Sequence, residues 1–309
     1  MNLTKKISLL LAVLVVVGGG GIFINSLLGK PSNPEVIVKA TLSNAFAETT
    51  KHTETTANIT TSAGEADFTL AGDVSNAEKL LPTADYQLEV SGNLPLENTA
   101  TKVSGSLNFR VVGGDIYFEV LNPILSSSSE KVTALQTYLS GIAGRWLSLP
   151  LQKLSEENTE VSKIITAKNE AQQNLRVKLQ TILGNNTAFE VKKASGSFFT
   201  GKYYITVIPK LGEFLTDDIV NNLGKLLGFT TAEETTQLKA QLTAMQPEIT
   251  LTISRSGNEF LGYATTLQTG ETILTIENTV KKLSENPSIT PPETSEVFDA
   301  ESYEAAFGG

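Results

Sequence analysis

The chain has 309 residues, 40% of them hydrophobic and 18% charged, with a formal net charge of −9 and a pI near 4.9. That composition is globular, and its acidity excludes the concentrated Lys/Arg face that nucleic-acid phosphates require, so no nucleic-acid partner is expected. Cysteine is absent and His52 is the only histidine; disulfides, thiol chemistry, a lipid-modified cysteine and the common His- or Cys-rich metal sites are excluded, and neither metal nor cofactor is expected.

Lys5 and Lys6 precede an apolar run from Ile7 to Leu28, and beyond Lys30 and Pro31 the chain turns polar. As a helix the run would rise roughly 30 Å, the thickness of a bilayer core. Residues 1–30 are therefore read as a signal-anchor or transmembrane segment, single-pass, with Lys5 and Lys6 in the cytoplasm and everything from about Lys30 outside it. Cleavage as a signal peptide is the competing reading, with Ile7 to Val17 as apolar core and Gly18 to Gly21 as the small-residue region, and the product would be secreted. Ile22, Phe23 and Ile24 resume the apolar run beyond the glycines, which favours the anchor.

Residues 31–34 are a linker, 35–298 one extracytoplasmic domain, and 299–309 a flexible acidic tail. Val36, Val38, Ala40, Leu42, Ala45 and Phe46 predict a helix from Glu35 to about Thr50, started by Pro34 and Glu35. From about His52 to Leu121 the period changes to two. Phe68 and Leu70, then Tyr86, Leu88 and Val90, then Leu107, Phe109 and Val111, then Ile116, Phe118 and Val120 predict consecutive antiparallel strands, with a tight turn at Gly113-Gly114. A Ser-rich loop (Ser126 to Ser129), a helix over Glu130 to Leu139 and a short strand over Arg145 to Pro150 follow. A helical stretch from Leu151 to Leu183 is stopped by Gly184-Asn185-Asn186. A second strand block begins near Thr187, with pairs such as Tyr203 and Ile205, Ile249 and Leu251, Leu261 and Tyr263, Leu274 and Ile276. Helices over Leu211 to Leu227 and Thr231 to Met245 interrupt it, the second opening on the capping box Thr231-Ala232-Glu233-Glu234. The fold class is α+β.

Gly114-Asp115-Ile116-Tyr117-Phe118-Glu119-Val120 is followed, after a helical insert, by Gly144-Arg145-Trp146-Leu147-Ser148-Leu149. Gly201 to Val207 then leads into a helix, Ile249 to Leu267 forms a hairpin, and Asn286-Pro287-Ser288-Ile289-Thr290-Pro291-Pro292 closes the order. In this order the motifs resemble the LolA/LppX-like group of bacterial envelope proteins, over nearly all of residues 35–298. The resemblance implies a strongly curved antiparallel sheet, a half-barrel, packed over several helices and enclosing an apolar cavity. It further implies binding, carrying or sensing of lipids or other apolar molecules without catalysis. The missing lipobox cysteine departs from lipid-anchored members, and the apolar N-terminal segment would replace it as the contact with the membrane.

A curved sheet's inner face is filled either by the protein's own helices or by a ligand. The candidate cavity residues are Tyr86, Leu88, Leu107, Phe109, Phe118, Trp146, Tyr203, Ile205 and Leu251. Phe214, Leu215, Ile219 and Leu223 are candidate lid residues, with Gly224 and Gly228 easing movement; plain core packing is the other reading of both sets. Asp217-Asp218, Glu233-Glu234 and Glu156-Glu157 are adjacent on helices and do not face one another, and His52 reads as a boundary residue, so no catalytic residue is expected. The expectation is a non-enzymatic, membrane-anchored extracytoplasmic protein that binds a lipid or acyl chain. The alternative is a non-catalytic cell-surface structural or interaction domain with a self-filled core, reading its partners through loops such as Asn122 to Ser129.

Overall fold

A computed structural model describes residues 33–45, 50–62, 64–77, 79–96, 99–183, 188–197, 201–229, 231–245 and 247–298. The apolar run Ile7 to Leu28, Phe46, the stop at Gly184-Asn185-Asn186 and the tail 299–309 lie outside the described residues. Among the described residues no helix is long and apolar enough to cross a membrane.

The period-two segments form one twelve-stranded sheet. Its strands are β1 (Lys51–Thr61), β2 (Gly64–Ser75), β3 (Thr83–Leu96), β4 (Thr99–Val112), β5 (Asp115–Ser126) and β6 (Trp146–Leu149), then β7 (Phe189–Ser197), β8 (Lys202–Pro209), β9 (Glu248–Ser254), β10 (Phe260–Thr269), β11 (Thr272–Lys282) and β12 (Glu296–Val297). They lie in the order β12-β6-β5-β4-β3-β2-β1-β11-β10-β9-β8-β7, an open sheet with β12 and β7 at its edges. Every neighbouring pair is antiparallel except β12 with β6. Two meanders thus meet at the centre, where β1 pairs with β11 from Lys51 opposite Lys282 to Thr60 opposite Ile273. Gly113 and Gly114, at φ 64° and 93°, make the β4–β5 turn that two left-handed positions require.

Seven helices flank the sheet among the described residues: α1 (Pro34–Ala45), α2 (Glu130–Ile142), α3 (Leu151–Glu157), α4 (Thr159–Leu183), α5 (Leu211–Phe214), α6 (Asp217–Leu226) and α7 (Ala232–Met245). Two predicted helices are each divided. Asn158 interrupts the Leu151–Leu183 stretch because its Oδ1 accepts from the backbone N–H of Glu160 at 2.9 Å and Val161 at 3.3 Å, capping a new helix. Thr216 does the same before α6, accepting from the N–H of Ile219, with Asp217 and Asp218 in the first turn. The capping box of α7 forms as read: the Glu234 N–H donates to Thr231 Oγ1 at 3.2 Å and the Thr231 N–H to Glu234 Oε2 at 3.3 Å.

The expected partner-reading loop Asn122 to Ser129 is largely strand. After a register shift between Ser104 and Ser106, β5 resumes pairing with Ile124 opposite Ser104 and Ser126 opposite Lys102. Gln136 of α2 holds this end, donating to the Pro123 carbonyl at 2.9 Å and accepting from the Leu125 N–H.

Candidate functional site

Cross-strand register fixes which side chains share a face, since antiparallel partners point the same way and neighbours along a strand alternate. One row runs Val120, Leu107, Leu88, Leu70, Thr55, Asn278, Tyr263, Leu251, Ile205 across β5, β4, β3, β2, β1, β11, β10, β9 and β8. Phe118, Phe109 and Tyr86 form the adjacent row on the same face, and Tyr203 joins through Ile253. Trp146 does not. It pairs with Glu119, whereas Leu147 pairs with Phe118, so the indole stands on the opposite, polar face. The expectation of Trp146 as a cavity wall is corrected by the strand's own alternation.

The apolar face has two unlike halves. On β8 to β11, Ile205 and Leu251 are buried in a core with Ile37 and Val38 of α1, and Tyr203 packs against it. On β2 to β5 two smaller cores form instead. Ala66, Leu94 and Val103 gather with Phe68, Val90 and Leu125, while Val74, Ala84 and Val111 gather with Tyr86, Phe109 and Ile116. Between them Leu70, Leu88, Leu107 and Val120 are only half-buried. This apolar strip crosses four strands, about 15 Å at the usual strand spacing.

Phe298, the last residue of the domain as bounded from the sequence, closes one end of the strip. Its ring lies 5.7 Å from that of Phe118, tilted by 58°. The segment is held because the Phe298 N–H donates to the Ser148 carbonyl at 2.9 Å and Arg145 Nη1 donates to Glu296 Oε2 at 2.9 Å. An isolated aromatic after a Pro-rich stretch was the available signal.

The lid candidates are gathered elsewhere. Leu215 and Leu223 pack with Val220 and with Leu238 and Leu242 of α7, Ile219 is buried, and the Phe214 ring rests 5.2 Å from that of Phe189 on the edge strand. The stripe on α6 is the core of a small helical cluster.

No protein-family model matches the chain. No curated protein matches it. Among solved structures it is similar to the crystal structure of LprF from Mycobacterium bovis, with 14% sequence identity over 86% of this chain and 99% of that one, at a TM-score of 0.37. At that TM-score the likeness carries no ligand, partner or mechanism over to this chain.

At the seam between the halves, two polar side chains are buried on the apolar face. Asn278 Nδ2 donates to Thr55 Oγ1 at 2.8 Å, while Asn278 Oδ1 and the Tyr263 hydroxyl have no hydrogen-bond partner among the described residues. Burial pushes the Tyr263 hydroxyl up to about 12 from an ordinary value of 10.0, and raises Tyr86 as well, against a hydrogen bond to Thr53. An unfolded chain's Tyr263 loses its proton near pH 10 while the native one keeps it, so the native state binds more protons between pH 10 and 12. Stability is therefore expected to fall as pH rises through that window, by up to about 3 kcal/mol for this group. Tyr263→Phe is expected to remove that share of the fall and to be neutral or mildly stabilising at pH 8, since it deletes an unpaired buried hydroxyl. Urea midpoints at pH 8, 10 and 11.5 for both proteins check this; an identical alkaline slope would refute it.

Proposed function

We propose that the chain is a non-catalytic extracytoplasmic protein, anchored by Ile7 to Leu28, whose apolar strip takes up an acyl chain or similarly apolar molecule. The observation that supports this reading is the gap between the two small cores, where Leu70, Leu88, Leu107 and Val120 stay half-buried beside a neighbouring half whose larger core buries Ile205 and Leu251. A half-barrel bend of the sheet would turn that strip into a cavity walled by Tyr86, Leu88, Leu107, Phe109 and Phe118. Ile205, Leu251 and Tyr203 then support it from the packed side. Burying ten methylenes supplies about 8 kcal/mol before the costs of ordering both partners, so no charged contact is needed.

The test is native mass spectrometry of the full-length chain purified from a cell envelope, with a titration by cis-parinaric acid. Near-stoichiometric co-purifying lipid is expected, and Leu107→Glu is expected to weaken uptake of the probe at least tenfold while the circular dichroism stays unchanged. A clean apoprotein that also ignores the probe would overturn the reading. The self-filled half under α1 favours the second reading, a structural or interaction domain, and that outcome would select it.

A further inference from the structure

The face opposite the strip carries an open pocket of about 330 Å³, within the size range of small-molecule sites, at its lower end. It exists because Ala71 stops at its Cβ between two larger cross-strand neighbours, Glu54 and Gln87. The pocket's rim comes from five different strands. His52 Nδ1 lies 2.7 Å from Asp73 Oδ1, Arg110 Nε donates to Asp85 Oδ2 at 3.0 Å, and the Asn108 amide donates to Glu119 Oε2 at 2.9 Å. The Arg110 guanidinium lies 4.9 Å from the centre of the Trp146 ring.

These contacts limit what the pocket accepts. Asp73 and Asp85 face each other across β2 and β3, a pairing of like charges that disfavours any anion. An organic cation would seek the indole face, which Arg110 already covers. A metal ion finds no group of three His, Cys, Asp or Glu side chains among the described residues. The polar lining opposes an apolar guest. What remains, among the described residues, is a set of acceptors, namely the second oxygens of Asp73 and Asp85 and the amide oxygens of Gln87 and Asn108. The terminal nitrogens of Arg110 stand beside them as donors. Hydroxyl groups both give and accept hydrogen bonds, which matches a lining that mixes acceptors with donors beside Trp146. We infer that this pocket binds one unit of a neutral saccharide, on the face of the sheet opposite the apolar strip and independently of it.

Trp146 is the chain's only tryptophan, so its emission reports on the pocket directly. The full-length chain is titrated with maltotriose, mannotriose, chitotriose and lactose, with trigalacturonate as the anionic control. At least one neutral sugar is expected to shift the emission saturably, and Ala71→Leu, which fills the floor without removing a polar group, is expected to weaken that response at least tenfold. Binding of cis-parinaric acid by Ala71→Leu is expected to match the parent's. Should Ala71→Leu lose its sheet signal in circular dichroism, Gln87→Ala takes its place with the same expected loss. Silence toward all four neutral sugars, a response unchanged in the variant, or a stronger response to trigalacturonate overturns the assignment.

Discussion

Gly262→Ala is expected to lower stability by at least about 3 kcal/mol, more than any surface substitution in the chain. Gly262 has φ 144°, a conformation open essentially to glycine alone, which by itself costs another residue about 1–3 kcal/mol. A Cβ there would lie 1.9 Å from the carbonyl oxygen of Asn278 and 2.9 Å from its carbonyl carbon. Asn278 cannot retreat, because it is paired with Tyr263 on one side and Thr55 on the other. The added methyl therefore pushes β10 away from β11 at the middle of the sheet. Gly114→Ala is the control. Its φ is 93° and nothing lies within 4 Å of an added Cβ, so only conformational strain of about 1–2 kcal/mol applies. Guanidinium unfolding of both variants decides the matter, and equal losses would show that close approach at Gly262 adds nothing.

The second large effect separates two leucines that share one cross-strand row. Leu251 is 3% exposed within the α1 core, and Leu251→Ala is expected to cost about 2–5 kcal/mol, the transfer of the lost methylenes plus the cavity they leave. Leu107 lies in the strip with part of its surface open, so Leu107→Ala in delipidated protein is expected to cost about 1 kcal/mol or less. The gap between them should narrow once an acyl chain occupies the strip, because truncation then opens a void against the ligand. Similar losses in delipidated protein would mean that both halves of the face are equally filled, and the uptake proposed above would lose its support.

Much of this arrangement is written in local pattern. Antiparallel strands exposed on one face alternate residue by residue, which is why β2 to β5 and β8 to β11 are legible from pairs such as Tyr86 and Leu88 or Ile249 and Leu251. The same counting, begun at Leu147 and Leu149, places Trp146 on the other face; the size of an indole is no guide to its direction. Asn158-Thr159-Glu160 and Thr216-Asp217-Asp218 carry helix-start signals of the kind that makes Thr231 to Glu234 readable, and long apolar periodicity hid them. Other features depend on contacts between distant parts of the chain. Leu107 and Leu251 are the same residue type in the same strand pattern, yet one is buried in the core that includes Ile37 and Val38 of α1 and the other is left half open. The docking of Phe298 on Phe118 and the pocket over Ala71 likewise join segments that nothing local connects.

The seam between β1 and β11 has a bearing on how the chain acquires its shape. β1 is the first of the described strands in chain order, and its partner on one side, β2, follows at once through a short turn. Its other partner is residues 273–282, so more than two hundred further residues must be made before that side is covered. Until then the N-terminal meander presents an unpaired inner edge, Lys51 to Thr60, of the kind that invites pairing with another chain. Closing a contact across more than two hundred residues is the slow class of folding event. Charged positions such as Glu54 along that waiting edge are what stand between β1 and the wrong neighbour until residues 273–282 arrive.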